Sequence, residues 1–263
     1  MKKELKQIIE NNGLKVYGDL IMIDGELFPL PMVQGNSKIG ANVWHASTMP
    51  TNKDIVIIKD GIEYHCAGTC PLTCEGCYGT KGNYNFNSVK YVLMMRTRLL
   101  REYPAIYFML VKAQIKAENI QLIRVHATGD FIENEANGWH DVFKTYPTIK
   151  GWTYTKREMV GDIAELNTLP NFNIVKSIIK GCGFNFGHIG YILEVYRKLK
   201  AMGKRVYICR CGIDKNQHCG NCGGCANNEY VLFIEHSTEY KADKDPLFNV
   251  IKALIESQPR QQL

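Results

Sequence analysis

The feature that most constrains the fold of this chain is a repeated alternation of strand-like and helix-like segments, which begins near residue 62 and runs to residue 257. Short apolar runs rich in β-branched and aromatic residues alternate with stretches whose apolar residues recur at helical spacing. Strands that alternate with helices form parallel sheets joined by right-handed crossovers. About six β–α units can be counted, which is too few for a closed barrel of eight strands. The pattern therefore predicts an α/β fold, an open and partial (β/α)6 barrel.

The alternation also predicts where each element lies. The expected strands of the barrel are residues 62–65, 121–126, 151–155, 173–177, 204–209 and 230–234. The expected helices are residues 88–100, 104–117, 134–144, 160–166, 189–201 and 245–257. In such a sheet, ligands bind at the carboxyl ends of the strands, so the residues that follow each strand are the candidates for a site.

The residues before the alternation predict a β-rich N-terminal extension. A short helix is expected at residues 5–11, a hairpin at 15–28, and loop-like chain at 29–50. An extended run at 54–58 precedes the strand at 62–65. These patterns divide the chain into an extension (1–60), a core (61–208), and a cysteine-rich region (209–263) that also supplies the last strand and helix of the barrel.

Cysteine usage indicates metal rather than disulfides. Of the ten cysteines, only Cys182 lies outside two dense groups, residues 66–77 and 209–225. A secreted disulfide framework spreads its cysteines over a small, loop-rich chain. No apolar segment follows the basic residues at the N-terminus, and no apolar run is long enough to cross a membrane. We therefore expect a cytoplasmic protein with no membrane partner and with metal bound at the cysteines.

The first group contains the spacing Cys-x3-Cys-x2-Cys, formed by Cys70, Cys74 and Cys77. Thiolates are the ligands that soft metals and iron–sulfur clusters select, and one compact loop can bring three of them to a cluster. A structural zinc site with Cys66 as the fourth ligand is the alternative. In the cluster interpretation, Cys66 is spare and packs as a small apolar residue at the end of a strand.

The Cys-x3-Cys-x2-Cys loop resembles the motif of the radical S-adenosylmethionine (SAM) superfamily. The resemblance implies a partial barrel, and a [4Fe-4S] cluster held by the three cysteines, with SAM bound at the fourth iron. It also implies a SAM-binding role for a turn after the second strand and for polar residues near other strand ends. An aromatic residue beside the third cysteine would pack near the adenine, although Gly76 stands where the superfamily usually has it. The implied SAM-binding residues are Tyr78, Thr128, Gly129, Asp130, Tyr154 and Ser177.

Four motifs taken in order resemble a smaller family. They are Cys-x3-Cys-x2-Cys-Tyr, Arg-Val-His-Ala-Thr-Gly-Asp-Phe, Tyr-Thr-Lys-Arg and a late cysteine cluster. Together they are similar to the phage-associated gene product 88 family, over roughly residues 38–235. This resemblance implies a small radical-SAM-like protein, and it implies no particular substrate.

The second cysteine group supplies five further thiols, with glycines between them that let the backbone fold tightly around a metal. The x2–x2 run that ends this group resembles ferredoxin-type spacing and favours an auxiliary [4Fe-4S] cluster. A zinc ion that staples the last crossover of the sheet is the alternative. Cys209 would be a spare ligand, an alternative ligand or a thiol that faces the substrate. The expected ligands are Cys211, Cys219, Cys222 and Cys225.

The sequence therefore predicts a radical SAM enzyme that takes electrons from an external one-electron donor such as flavodoxin or ferredoxin. It identifies neither the substrate nor a catalytic residue. The competing hypothesis is a binding module stapled by zinc and without catalysis. The formal net charge of +6 is spread along the chain, so it allows a nucleic-acid partner but does not require one.

Overall fold

The computed structural model describes residues 1–35, 39–72, 77–80, 82–177, 186–214, 216–234 and 241–259. Short 3-10 turns lie between several of its helices and strands. In chain order, the elements are α1 (Lys3–Asn11), β1 (Lys15–Tyr17), β2 (Leu20–Ile23), β3 (Glu26–Pro29), β4 (Met32–Gln34), β5 (Val43–Ala46), β6 (Asp54–Lys59), β7 (Ile62–Ala67), α2 (Asn87–Glu102), α3 (Pro104–Glu118), β8 (Leu122–Arg124), α4 (Glu135–Thr145), β9 (Lys150–Thr155), α5 (Gly161–Leu166), β10 (Phe172–Lys176), β11 (Phe186–Gly187), α6 (Ile189–Ala201), β12 (Val206–Ile208), α7 (Cys219–Cys222), α8 (Gly224–Asn227), β13 (Tyr230–Ile234) and α9 (Phe248–Ser257).

The N-terminal segment forms the predicted helix and hairpin. After α1, strands β1, β2 and β3 pair antiparallel in a three-stranded sheet of the described residues. Asp24 and Gly25 connect β2 to β3, and their φ values of 49° and 85° are those of a tight hairpin turn. Both predictions are confirmed, and β1 extends the hairpin by one strand.

The centre of the molecule is a largely parallel sheet. Within the described residues it has five strands in the order β10-β9-β8-β5-β4, and only the edge strand β4 runs antiparallel. Strands β11, β13 and β12 form a second, parallel sheet. The backbone N–H of Lys176 donates to the carbonyl of Glu229 at 3.0 Å and links the two sheets. The predicted α/β fold is confirmed at this level, and no closed barrel is present among the described strands.

The first strand of the parallel sheet is not the predicted one. Residues 62–65 belong to β7, which pairs antiparallel with β6 around Asp60 and Gly61 in a separate two-stranded hairpin. The first parallel strand is β5, within residues 29–50, where loop was predicted. This strand has only four residues and is flanked by Gly, Asn and Pro, so its local pattern resembles a loop. Pairing with β8 stabilises it, and this long-range contact has no local signal.

The two faces of the central sheet are covered differently. Gly151 on β9 lies against Phe143 of α4, since a Cβ built there would be 2.2 Å from that ring. We call this side the outer face. On the opposite, inner face, Trp152 forms an apolar cluster with Val43 and Leu122, and the chain around α7 and α8 packs against it. Side chains alternate along a strand, so β9 presents Trp152 and Tyr154 to the inner face and Thr153 and Thr155 to the outer face.

The main hydrophobic core lies on the outer face. Tyr107 on α3 and Trp139 and Phe143 on α4 are fully buried there, and their rings meet at centroid distances of 6.2 and 6.5 Å. No helix within the described ranges is both long and apolar enough to span a membrane.

Candidate functional site

The start of the first cysteine loop, at Thr69 and Cys70, lies at the carboxyl edge of the central sheet, where its parallel strands end. After β7, the chain returns beside the residues that follow β5. The N–H of Thr69 donates to the carbonyl of Met49, and the N–H of Cys70 donates to that of Thr51, each at 3.0 Å. Cys70 therefore lies at the carboxyl end of a parallel strand, as predicted, but that strand is β5 and not β7. Cys74, which completes the motif, lies outside the described residues.

Three buried threonines connect this loop to two strand ends, and we call Thr48, Thr69 and Thr128 the threonine layer. The hydroxyl of Thr128 donates to the carbonyl of Thr48 at 2.9 Å. The hydroxyl of Thr69 donates to the carbonyl of Met49, so in its 3.0 Å contact with Thr48 it accepts. These bonds join the chain after β5, the chain after β8 and the residue before Cys70. Buried hydroxyls satisfied in this way hold their neighbours in one arrangement.

Gly129 brings the turn after β8 close to the threonine layer. Its φ of +89° lies in the region that favours glycine. A Cβ at this position would be 2.0 Å from Oγ1 of Thr48 and 2.7 Å from Oγ1 of Thr69. The glycine predicted for SAM binding therefore has a first role in packing, because any side chain would push the cysteine loop away from the sheet.

Asp130 is buried, and its carboxylate faces hydrogen-bond donors of the protein itself. Its carboxylate accepts hydrogen bonds from the hydroxyl of Thr155 at 2.6 Å and from the backbone N–H groups of Lys156 and Phe131, each at 2.8 Å. Its own N–H donates to Thr69 at 2.9 Å. Asp130 thus ties the ends of β8 and β9 to the cysteine loop. Its predicted contact with the ammonium group of SAM stays a prediction.

Cys70 is buried near the charged side chains of Lys156 and Asp130. Burial raises the pKa of Cys70 to about 11, while the positive charge of Lys156 favours the thiolate and opposes that rise. Asp130 and Cys77 also lie near enough to act on Cys70, in the direction that keeps the thiol protonated. Metal binding must therefore displace a proton from Cys70, and Lys156 makes that displacement easier.

The remaining candidate residues of this region are Cys66, Ser177, Tyr78 and Cys182, and the structure describes the side-chain surroundings of the first two. Cys66 is buried on β7 and belongs to the main core, as predicted for a spare cysteine. The backbone N–H of Ser177 donates to the carbonyl of Thr155 at 2.9 Å, so Ser177 lies at the predicted edge. The side chain of Tyr78 lies outside the described part of the chain, as does Cys182.

The second cysteine group converges on the inner face of the central sheet rather than at the periphery of the last crossover. Its five sulfur-bearing residues line one narrow pocket together with Trp152 and Tyr207. The described cysteines form no disulfide. We call this the five-thiol pocket, and its members are Cys209, Cys211, Cys219, Cys222 and Cys225.

Burial and mutual repulsion keep most of these thiols protonated. Burial raises the pKa of Cys219 to about 11, against the opposing charge of Arg124. Burial also raises the pKa of Cys225, with further contributions from its cysteine neighbours. A hydrogen bond from Cys209 lowers the pKa of Cys211, so the proton between them lies on Cys209. Any metal bound here releases several protons, and its affinity rises with pH.

The donor set of the pocket is cysteine sulfur, which both zinc and iron–sulfur clusters accept as a ligand. Four thiolates around one zinc stand about 3.8 Å apart, given a Zn–S bond of about 2.3 Å. Among the residues that the structure describes, no three His, Cys, Asp or Glu side chains are grouped so that they could hold a single metal ion. In an iron–sulfur cluster, bridging sulfides separate the irons, so the cysteines stand farther apart. The five cysteine thiols of the pocket are soft donors of the kind that bind such a cluster.

Two tyrosine hydroxyls reach into the five-thiol pocket. The hydroxyl of Tyr154 lies 2.7 Å from Sγ of Cys225, and that of Tyr207 lies 3.4 Å from Sγ of Cys222. Tyr154 projects to the inner face, where its hydroxyl meets a cysteine, and its predicted contact with SAM stays a prediction. The alternation along β9, with Trp152 and Tyr154 on one side, is the sequence signal that could have shown this.

A buried ion pair of His126 and Glu135, which the sequence did not predict, lies beside the turn that follows β8. Nε2 of His126 lies 2.8 Å from Oε1 of Glu135, which also accepts a hydrogen bond from Trp139. Burial favours the neutral imidazole, but the charge and hydrogen bond of Glu135 outweigh it and raise the pKa of His126. A histidine at a strand end, followed nine residues later by a glutamate that begins a helix, is too common a pattern to have indicated this pair.

This pair predicts a defined pH dependence of stability. The folded-state pKa of His126 lies above its usual value of 6.5. The pair of His126 and Glu135 therefore contributes its full stabilisation below pH 6.5. This stabilisation is lost as the pH rises through the folded-state pKa. His126→Gln, which stays neutral, should lower the free energy of unfolding at about pH 6 by on the order of 3 kcal/mol, and by less at about pH 9. Urea unfolding at both pH values measures the difference.

The exposed His65 provides the control for this experiment. It also pairs with two carboxylates, Asp54 and Glu63, but in contact with solvent. His65→Gln should therefore change the unfolding free energy little at either pH. An effect of His126→Gln that does not vary with pH would contradict a charged His126.

A groove of about 650 Å³ opens elsewhere, between α1, α3 and α4. Its wall contains the ion pair of Lys112 and Asp141, and the described residues that line it include no cysteine. This groove is therefore separate from both cysteine sites.

Comparison with known proteins identifies the family. The family model described as gene product 88 matches residues 31–181, more than half of the chain. The chain belongs to the gene product 88 family. The match includes β5, the first cysteine group and the turn at Thr128 to Asp130, but it ends before the five-thiol pocket, so it is shorter than the resemblance predicted from the motifs. No curated protein and no solved structure matches the chain.

Proposed function

We propose that this member of the gene product 88 family is a radical SAM enzyme, with a cluster held by Cys70, Cys74 and Cys77. The observation that carries the proposal is the position of Cys70, the first cysteine of the motif, at the carboxyl edge of parallel strands, next to Thr69, which accepts a hydrogen bond from Asp130. When bound, a [4Fe-4S] cluster of this type supplies one electron that cleaves SAM into methionine and a 5′-deoxyadenosyl radical.

The residues of the chain contribute position, charge and exclusion of water. The threonine layer and Asp130 hold the loop against the ends of β5, β8 and β9. Lys156 places a positive charge beside Cys70, which favours the thiolate needed for metal binding. Cys70 is buried, and such enclosure protects a reactive intermediate from solvent. Thr128, Gly129 and Ser177 lie at the same edge, where SAM would bind.

The proposal extends to the fold and to the second site. The link from Lys176 to Glu229 supports the interpretation of the two parallel sheets as parts of one open, partial barrel. The five-thiol pocket would then lie inside the barrel and hold an auxiliary [4Fe-4S] cluster through Cys211, Cys219, Cys222 and Cys225. Electrons would come from an external donor such as flavodoxin or ferredoxin, and the hydrogen atom from an organic substrate.

Anaerobic purification and metal analysis test this function directly. Two [4Fe-4S] clusters predict a brown protein with about eight iron and about eight sulfide per chain. After reduction with dithionite, the protein should convert SAM to 5′-deoxyadenosine and methionine, measured by liquid chromatography. A colourless protein that contains only zinc and leaves SAM intact would refute the enzyme and favour a zinc-stapled binding module.

A further inference from the structure

We propose that Tyr154 and Tyr207 donate hydrogen bonds to the ligand thiolates of the five-thiol pocket and thereby raise the reduction potential of the iron–sulfur group bound there. This inference rests on the proposed auxiliary cluster. It assigns to Tyr154 a role different from the predicted contact with SAM, and it assigns a role to Tyr207, which the sequence did not single out.

The direction of the hydrogen bond follows from the chemistry of the ligand. A cysteine that binds metal is a thiolate, which has no proton to donate. In the 2.7 Å contact between Tyr154 and Cys225, the hydroxyl must therefore be the donor once metal is bound. The ring of Tyr154 is held in place, because the guanidinium of Arg124 lies over it at 5.3 Å and the ring of Phe233 at 5.8 Å.

Tyr207 is oriented by a second contact. Nε of Arg210 donates to its hydroxyl oxygen at 2.9 Å, which leaves the hydroxyl proton to point elsewhere. Cys222 lies 3.4 Å from that oxygen and is the available acceptor. Arg210 is itself fixed by the carbonyl of Gln258, beyond the end of α9. The two tyrosines come from different sheets, β9 and β12, so their convergence on neighbouring cysteines depends on the tertiary fold.

Hydrogen bonds to the sulfur ligands stabilise the more negative, reduced form of a cluster, and so raise its reduction potential. Their loss should shift the potential to more negative values. The shorter contact of Tyr154 predicts a larger shift than that of Tyr207. Outer partners of metal ligands also support metal retention, typically by about 10- to 100-fold in affinity.

The experiment uses the variant Cys70→Ala/Cys74→Ala/Cys77→Ala, in which only the five-thiol pocket can hold a cluster. Its reduction potential is measured by redox titration monitored by electron paramagnetic resonance, with and without Tyr154→Phe or Tyr207→Phe. Both substitutions should lower the potential, and the double substitution should lower it further. The affinity for iron, measured by competition with a chelator, should fall about 10-fold.

Tyr107→Phe is the matched control. Tyr107 is fully buried in the main core, and within the described chain its hydroxyl has no hydrogen-bond partner. Its removal should leave the potential unchanged. If the pocket holds iron and neither Tyr154→Phe nor Tyr207→Phe shifts the potential, the inference is overturned while the proposed auxiliary cluster stands. If the pocket binds zinc or no metal, the auxiliary cluster itself is refuted, and the inference falls with it.

Discussion

Replacement of Cys70, Cys74 and Cys77 by alanine should abolish 5′-deoxyadenosine formation and reduce the iron content from about eight to about four per chain. Cys70 is buried at the carboxyl edge of the central sheet, beside Lys156 and near Cys77. Removing three thiols from one loop removes every ligand that its motif supplies to a cluster. The remaining iron would belong to the five-thiol pocket, which lies on the inner face and shares no cysteine with the loop.

Cys66→Ala is the matched control for this experiment. Cys66 precedes Cys70 by four residues, but it lies on β7, opposite Ile55, and packs in the main core. Its removal should cost about 1 kcal/mol of stability and leave both the iron content and SAM cleavage intact. If the triple variant still forms 5′-deoxyadenosine, the loop is not the site. If Cys66→Ala abolishes it, the assignment of the ligands is wrong.

Gly129→Ala should destabilise the fold by about 2–5 kcal/mol. About 1–2 kcal/mol comes from placing a side chain at a φ of +89°, and about 1–3 kcal/mol comes from the contact with the threonine layer. The new Cβ would be 2.0 Å from Oγ1 of Thr48, so the loop that carries Thr69 and Cys70 has to move. The same variant should therefore bind less iron at the first cysteine group. Thermal unfolding and metal analysis measure the two effects.

Gly25→Ala separates the two contributions. Gly25 has a φ of +85°, close to that of Gly129, but no atom lies within 4 Å of the position that its Cβ would take. Its replacement should cost only about 1–2 kcal/mol and leave the iron content unchanged. Equal destabilisation by the two substitutions would contradict the close packing of Gly129 against Thr48 and Thr69.

Several elements could be predicted because their signals are local. The helical spacing of apolar residues predicted α3 and α6 to within one residue, and Asp24-Gly25 predicted the hairpin of β2 and β3. The position of the Thr128–Asp130 turn at a strand end also followed from the pattern, because a short apolar run ends there. Strand β5 could not be predicted in this way, since four residues flanked by turn formers are stabilised only by pairing with β8.

The sequence by itself determined the α/β class, the two cysteine groups and the spacing that suits an iron–sulfur cluster, because periodicity and ligand spacing are properties of neighbouring residues. Only the tertiary structure decided that Cys70 lies beside the chain that follows β5. It also decided that Asp130 accepts hydrogen bonds from Thr155 and Lys156 inside the protein. It also decided that Tyr154 meets Cys225 across 71 positions of the chain. Such contacts depend on the packing of distant elements, and no local pattern of residues encodes them.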